Sequence, residues 1–366
     1  MKIGLVTYFW PNNYGAKLQA YALQRSLEAS GVVCEIINYN PQENRPKSRS
    51  IKNIPAKFFK CAVNLRYGRE IEKGLERFLQ FDSLFHLTEK IKDVSALANL
   101  SDFNGFVCGS DQIWRNPKVG FYFLDFAQDN QARISYAPSF GVSQVPTEQH
   151  SLYAELLSKF NSISVRETEG AAIIRTLIGQ DVPVVLDPTL LLSADEWRSL
   201  AQEPSRKLPK GYVLNYSVQN TSPCFQVAKQ AAKLLNLPLV TIDVSRRLAF
   251  NFGTQKYYDL GPKEWLCVFD RASYVVSSSF HGTAFAINFQ KPFISVCQGT
   301  QTLNTNSRML SLSKLLGLEK RLVFPKAKIS QDFLSCEYSD AVLRSLEAER
   351  QKSKDYLTKA IEAVSK

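Results

Sequence analysis

The chain has 366 residues and a formal net charge of +11, with 45% apolar and 22% charged residues. That balance excludes a disordered protein, and no run approaches the roughly 18 uninterrupted apolar residues that cross a bilayer. Seven scattered cysteines without a C-x-x-C pair (Cys34, Cys61, Cys108, Cys224, Cys267, Cys297 and Cys336) exclude a disulfide frame or zinc ribbon.

The N-terminus runs straight into a strand pattern with no small-residue cleavage site, so a cytoplasmic protein is expected. At this length two domains are the default. Ile3 to Tyr8 reads as a strand, Trp10 to Gly15 as a turn, Leu18 to Ser30 as a helix stopped at Gly31, and Val32 to Tyr39 as a second strand. Strand, turn, helix, strand is a βαβ unit, which predicts a parallel sheet. The first turn lacks G-x-G-x-x-G, so no nicotinamide dinucleotide site is read there. Arg45 to Lys73 is basic and carries Phe58, Phe59, Leu65 and Tyr67. A solvated helical face, a helix on an anionic membrane surface and a nucleic-acid patch all fit, although no nucleic-acid module accompanies the charge.

Strands are predicted at Gly105 to Cys108, Arg133 to Ala137, Ser162 to Val165 and Val182 to Leu186, each ending in small or polar residues. Ligands of open parallel sheets collect at such carboxyl ends. The alternation resumes after Trp197. Strands are expected at Gly211 to Ser217, Leu239 to Asp243, Tyr274 to Ser278 and Pro292 to Val296, with helices at Gln226 to Leu235, Trp265 to Arg271 and Thr283 to Phe289. Tyr338 to Val364 has a charged helical pattern. The expected class is therefore α/β, with two Rossmann-like doubly wound domains facing across a cleft. The divisions are 1–190, 191–340 and a C-terminal helix at 341–366.

The most informative segment is Ser277-Ser278-Ser279-Phe280-His281-Gly282-Thr283, where a strand meets a helix start and one of three histidines stands. Free N–H groups and the positive end of the helix dipole make such a junction an anion site. His281 is either a titratable group working on a phosphorylated or carboxylated substrate or a cap on a buried helix. Asp111 and Gln112 follow a strand end and suit sugar hydroxyls, with Asp111 as a base, or else a helix N-cap. Trp114 could stack on a sugar or belong to the core. Arg166 offers a planar fork to an anion or an ion pair to Glu167 or Glu169. Asp187-Pro188-Thr189 reads as an interdomain turn. Asn306 and Arg308, in the polar loop Gln301 to Arg308, could fold over an anion or lie in solvent. His86 and His150 carry no signal, and no metal set is present.

Several of these segments together resemble the polysaccharide pyruvyl transferase family. They are Asn13-Tyr14-Gly15-Ala16 with Leu18 to Leu23, Cys108-Gly109-Ser110-Asp111-Gln112-Ile113-Trp114, Ser135 to Gly141, Ile163 to Glu167, Leu186 to Thr189 and Ser279 to Thr283, spanning residues 3 to 318 in order. The resemblance implies a glycosyltransferase-B-like fold and transfer of an enolpyruvyl unit from phosphoenolpyruvate to a sugar, giving a pyruvate ketal on a capsular or other bacterial exopolysaccharide precursor. It implies a co-substrate and no cofactor. Arg166 would clamp one anion, and His281 would donate to phosphate or act as general acid beside the N–H groups of Gly282 and Thr283. Asn13, Tyr14, Gln112 and Trp114 fall on the acceptor side, in the N-terminal half. Where some members carry arginine two residues before the histidine, this chain has Ser279, so either Arg308 replaces that cation or the donor binds differently. Expected partners are phosphoenolpyruvate and a lipid-linked sugar, with peripheral contact at the inner membrane face. A nucleotide-sugar glycosyltransferase and a silent carbohydrate-binding protein are the alternatives.

Overall fold

A computed structural model describes residues 1–41, 43, 54–218, 221–244, 246, 248–299, 306–335 and 338–365. Arg45 to Asn53 of the basic stretch and Gln301 to Thr305 of the polar loop lie outside the described residues.

The N-terminal half is built on β1 (Lys2–Val6), β2 (Val33–Ile36), β3 (Gly105–Cys108) and β4 (Ala132–Ser135), all parallel in the order β2-β1-β3-β4. Its helices are α1 (Tyr14–Ala29), α2 (Ile54–Asp82), α3 (His150–Ser158) and α4 (Thr168–Ile178). After α5 (Ala194–Leu200) comes a second parallel sheet of β5 (Val213–Ser217), β6 (Leu239–Asp243), β7 (Gln255–Lys256), β8 (Tyr274–Ser277), β9 (Phe293–Val296) and β10 (Leu322–Val323). Its order is β10-β9-β8-β5-β6-β7. Around it lie α6 (Thr221–Leu235), α7 (Pro262–Asp270), α8 (Phe280–Asn288), α9 (Ser307–Leu315) and α10 (Gln331–Leu334), and α11 (Asp340–Glu362) closes the chain. The expectation of two parallel α/β halves holds.

Two expected strands are corrected. Ser162 to Val165 and Val182 to Leu186 make only single bridges, Ile134 with Ser162 and Val165 with Val184. Serine hydroxyls take ladder positions here: Ser135 Oγ donates to the Ser164 carbonyl and Ser164 Oγ to the Ser135 carbonyl, both at 3.0 Å. Pro183 has no N–H to extend the second segment. The first two strands and the C-terminal helix also run shorter than expected, and the others shift by a residue or two. Helices start earlier: α1 begins at Tyr14, with Asn13 Oδ1 accepting from Ala16 N at 3.1 Å, and α7 opens with Pro262.

The halves share one apolar core. Tyr14 from α1 stacks on Trp265 from α7 at 5.7 Å and 18°, and its hydroxyl donates to the Leu260 carbonyl at 3.1 Å. That continuity includes Phe78, Leu190, Trp197, Tyr216, Phe280 and Phe285. Helix α11 returns to the first half, where Ser353 Oγ accepts from Leu186 N at 2.9 Å and Tyr356 donates to the Ser135 carbonyl at 2.9 Å. Among the described residues no helix is long and apolar enough to cross a membrane.

Candidate active site

The strand β3 delivers Asp111 to the cleft through a turn that only glycine can enter. Gly109 has φ 143°, and a Cβ there would lie 1.9 Å from the Tyr136 carbonyl oxygen. Asp111 follows at φ 66°, its own carboxylate accepting from Gln112 N at 2.8 Å. On the facing half, β8 runs into α8 with Ser279 at the N-cap position, so His281 lies in the first helical turn, earlier than the Thr283 start expected. The leading N–H groups of a helix have no intrahelical acceptor, and its positive dipole end faces the same space.

His281 meets the first half through two residues. Its ring packs on Gly15, where a Cβ would stand 2.1 Å from Nδ1. Its buried Nε2 has no hydrogen-bond partner and lies 3.7 Å from Asp187 Oδ2. Arg166 Nη1 donates to that same carboxylate oxygen at 2.6 Å, and Nη2 reaches Asp111 Oδ1 at 3.4 Å. Glu167 is more distant, at 4.0 Å from Arg166 Nε. Asp187 keeps the turn expected of it, since its other oxygen accepts from Thr189 N at 3.0 Å. It is also the hub on which His281 and Arg166 converge, a role the sequence reading missed.

These carboxylates are tuned unequally. Burial works to raise Asp187, but His281 and the Arg166 guanidinium outweigh it and hold the carboxyl well below the usual range. Asp111 is likewise lowered against burial, by Arg166, His281 and Arg308. Glu167 is raised because its burial exceeds the help of Arg166 and of Ser139, which donates to it at 2.7 Å. Burial and the neighbouring Arg166 pull Arg308 down to about 10. The two guanidiniums flank the Phe280 ring at 4.7 and 5.9 Å, where its π face partly offsets their repulsion.

The space in front is a hollow of about 180 Å³ lined by Asn13, Asp111, Gln112, Ser279, His281 and Arg308 among others. Arg308 stands at the start of α9 rather than in a loop, 4.0 Å from Asp111 Oδ1 and 19% exposed. With its amide oxygen turned toward Arg308, the orientation the hydrogen-bond network favours, Gln112 accepts from both terminal guanidinium nitrogens. Arg166, its side chain 1% exposed, sits behind Asp111 and Asp187. Of the two cations, Arg308 is the one on the lining. A second groove of about 400 Å³ shares Asp111 and Gln112 and is walled by Tyr8, Arg115 and Tyr122.

Five residues expected at the site have other duties. Trp114 is fully buried, stacked on Phe123, with Nε1 donating to the Tyr122 carbonyl at 3.1 Å, so its ring cannot meet a sugar. Tyr14 is committed to the contact between halves. Asn306 is buried and pairs both ways with the Gln298 backbone, at 2.8 and 3.0 Å. The Thr283 hydroxyl pairs with Ser295 Oγ at 2.6 Å, and Gly282 is a packing glycine, since a Cβ would fall 2.1 Å from Ser277 Oγ. The Thr283 N–H already donates to the Ser279 carbonyl at 3.0 Å, so of these two residues only the Gly282 N–H could serve an anion.

Solved structures share the whole-chain architecture at very low identity. The UDP-GlcNAc 2-epimerase of Methanocaldococcus jannaschii aligns with TM-scores of 0.51 and, in complex with UDP-GlcNAc and UDP, 0.50, each at 10% identity. These alignments cover 95% and 97% of this chain and 92% and 94% of the epimerase. The ADP-heptose LPS heptosyltransferase II of E. coli aligns at TM-score 0.40 and 11% identity, over 96% of this chain and 99% of that one. The two parallel-sheet α/β halves and the epimerase alignments give the fold as glycosyltransferase-B-like. No curated protein matches the sequence significantly. The family model for polysaccharide pyruvyl transferase matches residues 13–296, a span that takes in Asp111, Arg166, Asp187 and His281, and the chain belongs to that family.

Proposed function

We propose that this protein transfers an enolpyruvyl unit from phosphoenolpyruvate to a sugar of a surface-polysaccharide precursor, closing a pyruvate ketal across two hydroxyls. The observation that carries the reading is the convergence of His281, Asp111 and Arg308 on one hollow, with Asp187 and Arg166 bonded behind them, all but Arg308 within the span that matches the family.

In this reading the donor methylene is protonated, giving oxocarbenium character at the carbon that bears phosphate. One acceptor hydroxyl adds there and gives up its proton. Phosphate departs with the C–O electron pair, and the second hydroxyl closes the ketal. The two hydroxyl protons account for the third methyl hydrogen and for the proton on the released phosphate, so water is not consumed. His281 supplies a proton at the donor, Arg308 and the first N–H groups of α8 hold its anionic groups, and Asp111 takes the hydroxyl proton. Arg166 works from behind, fixing Asp111 and Asp187 in place. The N-terminal half carries the acceptor in the Tyr8–Tyr122 groove, and the C-terminal half carries the donor.

Ser279 has a consequence in this scheme. Asp111, Glu167 and Asp187 contribute three negative charges against two positive ones from Arg166 and Arg308. With serine at this position, Arg308 is the guanidinium on the lining left to meet the donor's anionic groups.

The test is phosphate release from phosphoenolpyruvate in the presence of sugar acceptors, with mass spectrometry for the ketal. Phosphate release without a ketal, or no turnover together with thermal stabilisation by a nucleotide sugar alone, would refute pyruvyl transfer. The second outcome would assign the fold's other chemistry, glycosyl transfer.

A further inference from the structure

Two exposed apolar positions stand out in a molecule whose large side chains are otherwise mostly packed. Phe252 is 88% exposed and Leu65 is 91% exposed, with Phe250 also at the surface. Both phenylalanines lie between β6 and β7, and Leu65 lies on α2 beside Arg66. The Tyr67 hydroxyl ties the two segments together by donating to the Ala249 carbonyl at 3.1 Å. A hollow of about 300 Å³ opens between them, walled by Arg66, Arg206, Phe250, Phe252 and Lys256.

The cations come from three separate parts of the chain. Arg206 covers the Tyr257 ring at 4.2 Å and donates to the Lys256 carbonyl, while Lys73 holds the neighbouring Ser205 hydroxyl at 2.7 Å. Burial and the charge of Arg66 pull the Lys256 ammonium below its ordinary value against the opposing charge of Asp243, and that ammonium also donates to the Asn251 carbonyl. Glu70 feels the charge of Arg206, and its own burial raises it. Exposed apolar side chains beside three cations from separate segments match a surface that is apolar just below a layer of phosphates.

This face leads toward the cleft through packed side chains. The Tyr67 ring packs at 4.8 Å on Tyr258, which with Asn12, Tyr14 and Arg246 lines a hollow at the end of β6. Asn13, next in the chain, lines the hollow that holds His281.

We propose that this face docks on an anionic bilayer, with Phe252 and Leu65 entering the headgroup region and Arg66, Arg206 and Lys256 meeting lipid phosphates. A lipid-linked acceptor then enters the cleft from the β6 end. That last step rests on the proposed pyruvyl transfer to a lipid-linked sugar; the docking itself does not.

The test is cosedimentation of the full chain with vesicles of phosphatidylcholine alone or with about 30% phosphatidylglycerol. Binding is expected only to the anionic vesicles and should be reversed by salt. Phe252→Ser should weaken it roughly tenfold or more, and Arg66→Gln roughly fivefold. Phosphate release with a water-soluble acceptor should be unchanged in both variants, which separates loss of docking from loss of folding. Equal binding to neutral vesicles, or none to either, overturns the docking even if pyruvyl transfer is established. Binding that falls in Arg66→Gln but not in Phe252→Ser assigns the patch to a soluble polyanion and overturns it as well. Failure of pyruvyl transfer with vesicle binding intact leaves docking standing and removes the acceptor step.

Discussion

Asp187 and His281 come from opposite halves of the molecule and place a buried carboxylate oxygen 3.7 Å from a buried imidazole nitrogen. Arg166 occupies the other approach to that oxygen at 2.6 Å. One carboxylate therefore aligns the proposed acid and neutralises the guanidinium behind it. Asp187→Asn keeps an oxygen for the Thr189 N–H but turns an amide donor or a neutral oxygen toward Arg166. Stability should fall by about 3–5 kcal/mol, the cost of stranding a buried charge. Turnover should drop about 100-fold at a temperature where the variant remains folded. Urea titration and kinetics check the two effects separately. A variant with full turnover would remove Asp187 from the machinery.

The same pair sets an acid-side dependence. Asp187 and Asp111 both titrate below the ordinary aspartate value of 3.8 in the folded chain. A depressed carboxyl contributes stability that is complete above its unfolded pKa and is lost as the pH falls toward the folded one. Glu167, raised above 4.5, acts in the opposite sense, favouring the folded state below that value. The denaturation midpoint should fall as pH drops below about 4. Asp187→Asn should flatten that slope, and an equally steep acid limb in the variant would contradict the assignment.

Gly15 tests how tightly the histidine is seated. By helix propensity alone, alanine in place of a helical glycine would favour α1 by up to about 1 kcal/mol. The added methyl would stand 2.1 Å from His281 Nδ1 and 2.5 Å from its Cγ, so the ring must move. A displacement near 1 Å should cost about 100-fold in kcat with the helical content unchanged. Circular dichroism and steady-state kinetics decide it, and unchanged kcat would show that the ring's place against α1 is immaterial.

The parts of this site that were legible in the sequence are those that local chemistry dictates. The endings of β3 and β8 announce themselves as apolar runs stopping at Gly109 and at the serines 277–279. What could not be read is pairing over distance: Arg166 has two adjacent acidic candidates, Glu167 and Glu169, yet its closest partner is Asp187, 21 positions away. The start of α8 was placed too late because Gly282 disfavours a helix, whereas contact with Ser277 and Tyr216 makes glycine the residue that fits. Trp114 shows the converse error. Position near a site says nothing of orientation, and its ring turned into a cage of Phe123, Phe140 and Phe160.

Arg308 carries the charge that Ser279 does not. Its guanidinium is held against burial and against Arg166, so the folded chain gains little from keeping it there. Arg308→Ala should leave the melting temperature unchanged or slightly higher. It should raise KM for phosphoenolpyruvate about tenfold or more, the usual weight of a hydrogen bond to a charged group. Arg308→Lys should fall between, since an ammonium keeps the charge but not the fork. Full donor affinity in Arg308→Ala would mean that another group holds the donor.

Tyr8 and Trp114 distinguish the groove proposed for the acceptor from the core beneath it. Tyr8 is half-buried, its ring 5.0 Å from Tyr122 and 5.4 Å from Trp10, and it walls the groove that shares Asp111. A ring so placed offers a flat apolar face to a pyranose, and Tyr8→Ala should raise the acceptor KM about fivefold while leaving the donor KM alone. Trp114→Phe removes the Nε1 donor from the buried Tyr122 carbonyl and should cost about 1–3 kcal/mol of stability without moving either KM. Kinetics with both substrates varied, run beside denaturant titrations, distinguish the two. An acceptor KM that follows Trp114 rather than Tyr8 would place the sugar elsewhere, because no pyranose can touch an indole that has no exposed surface.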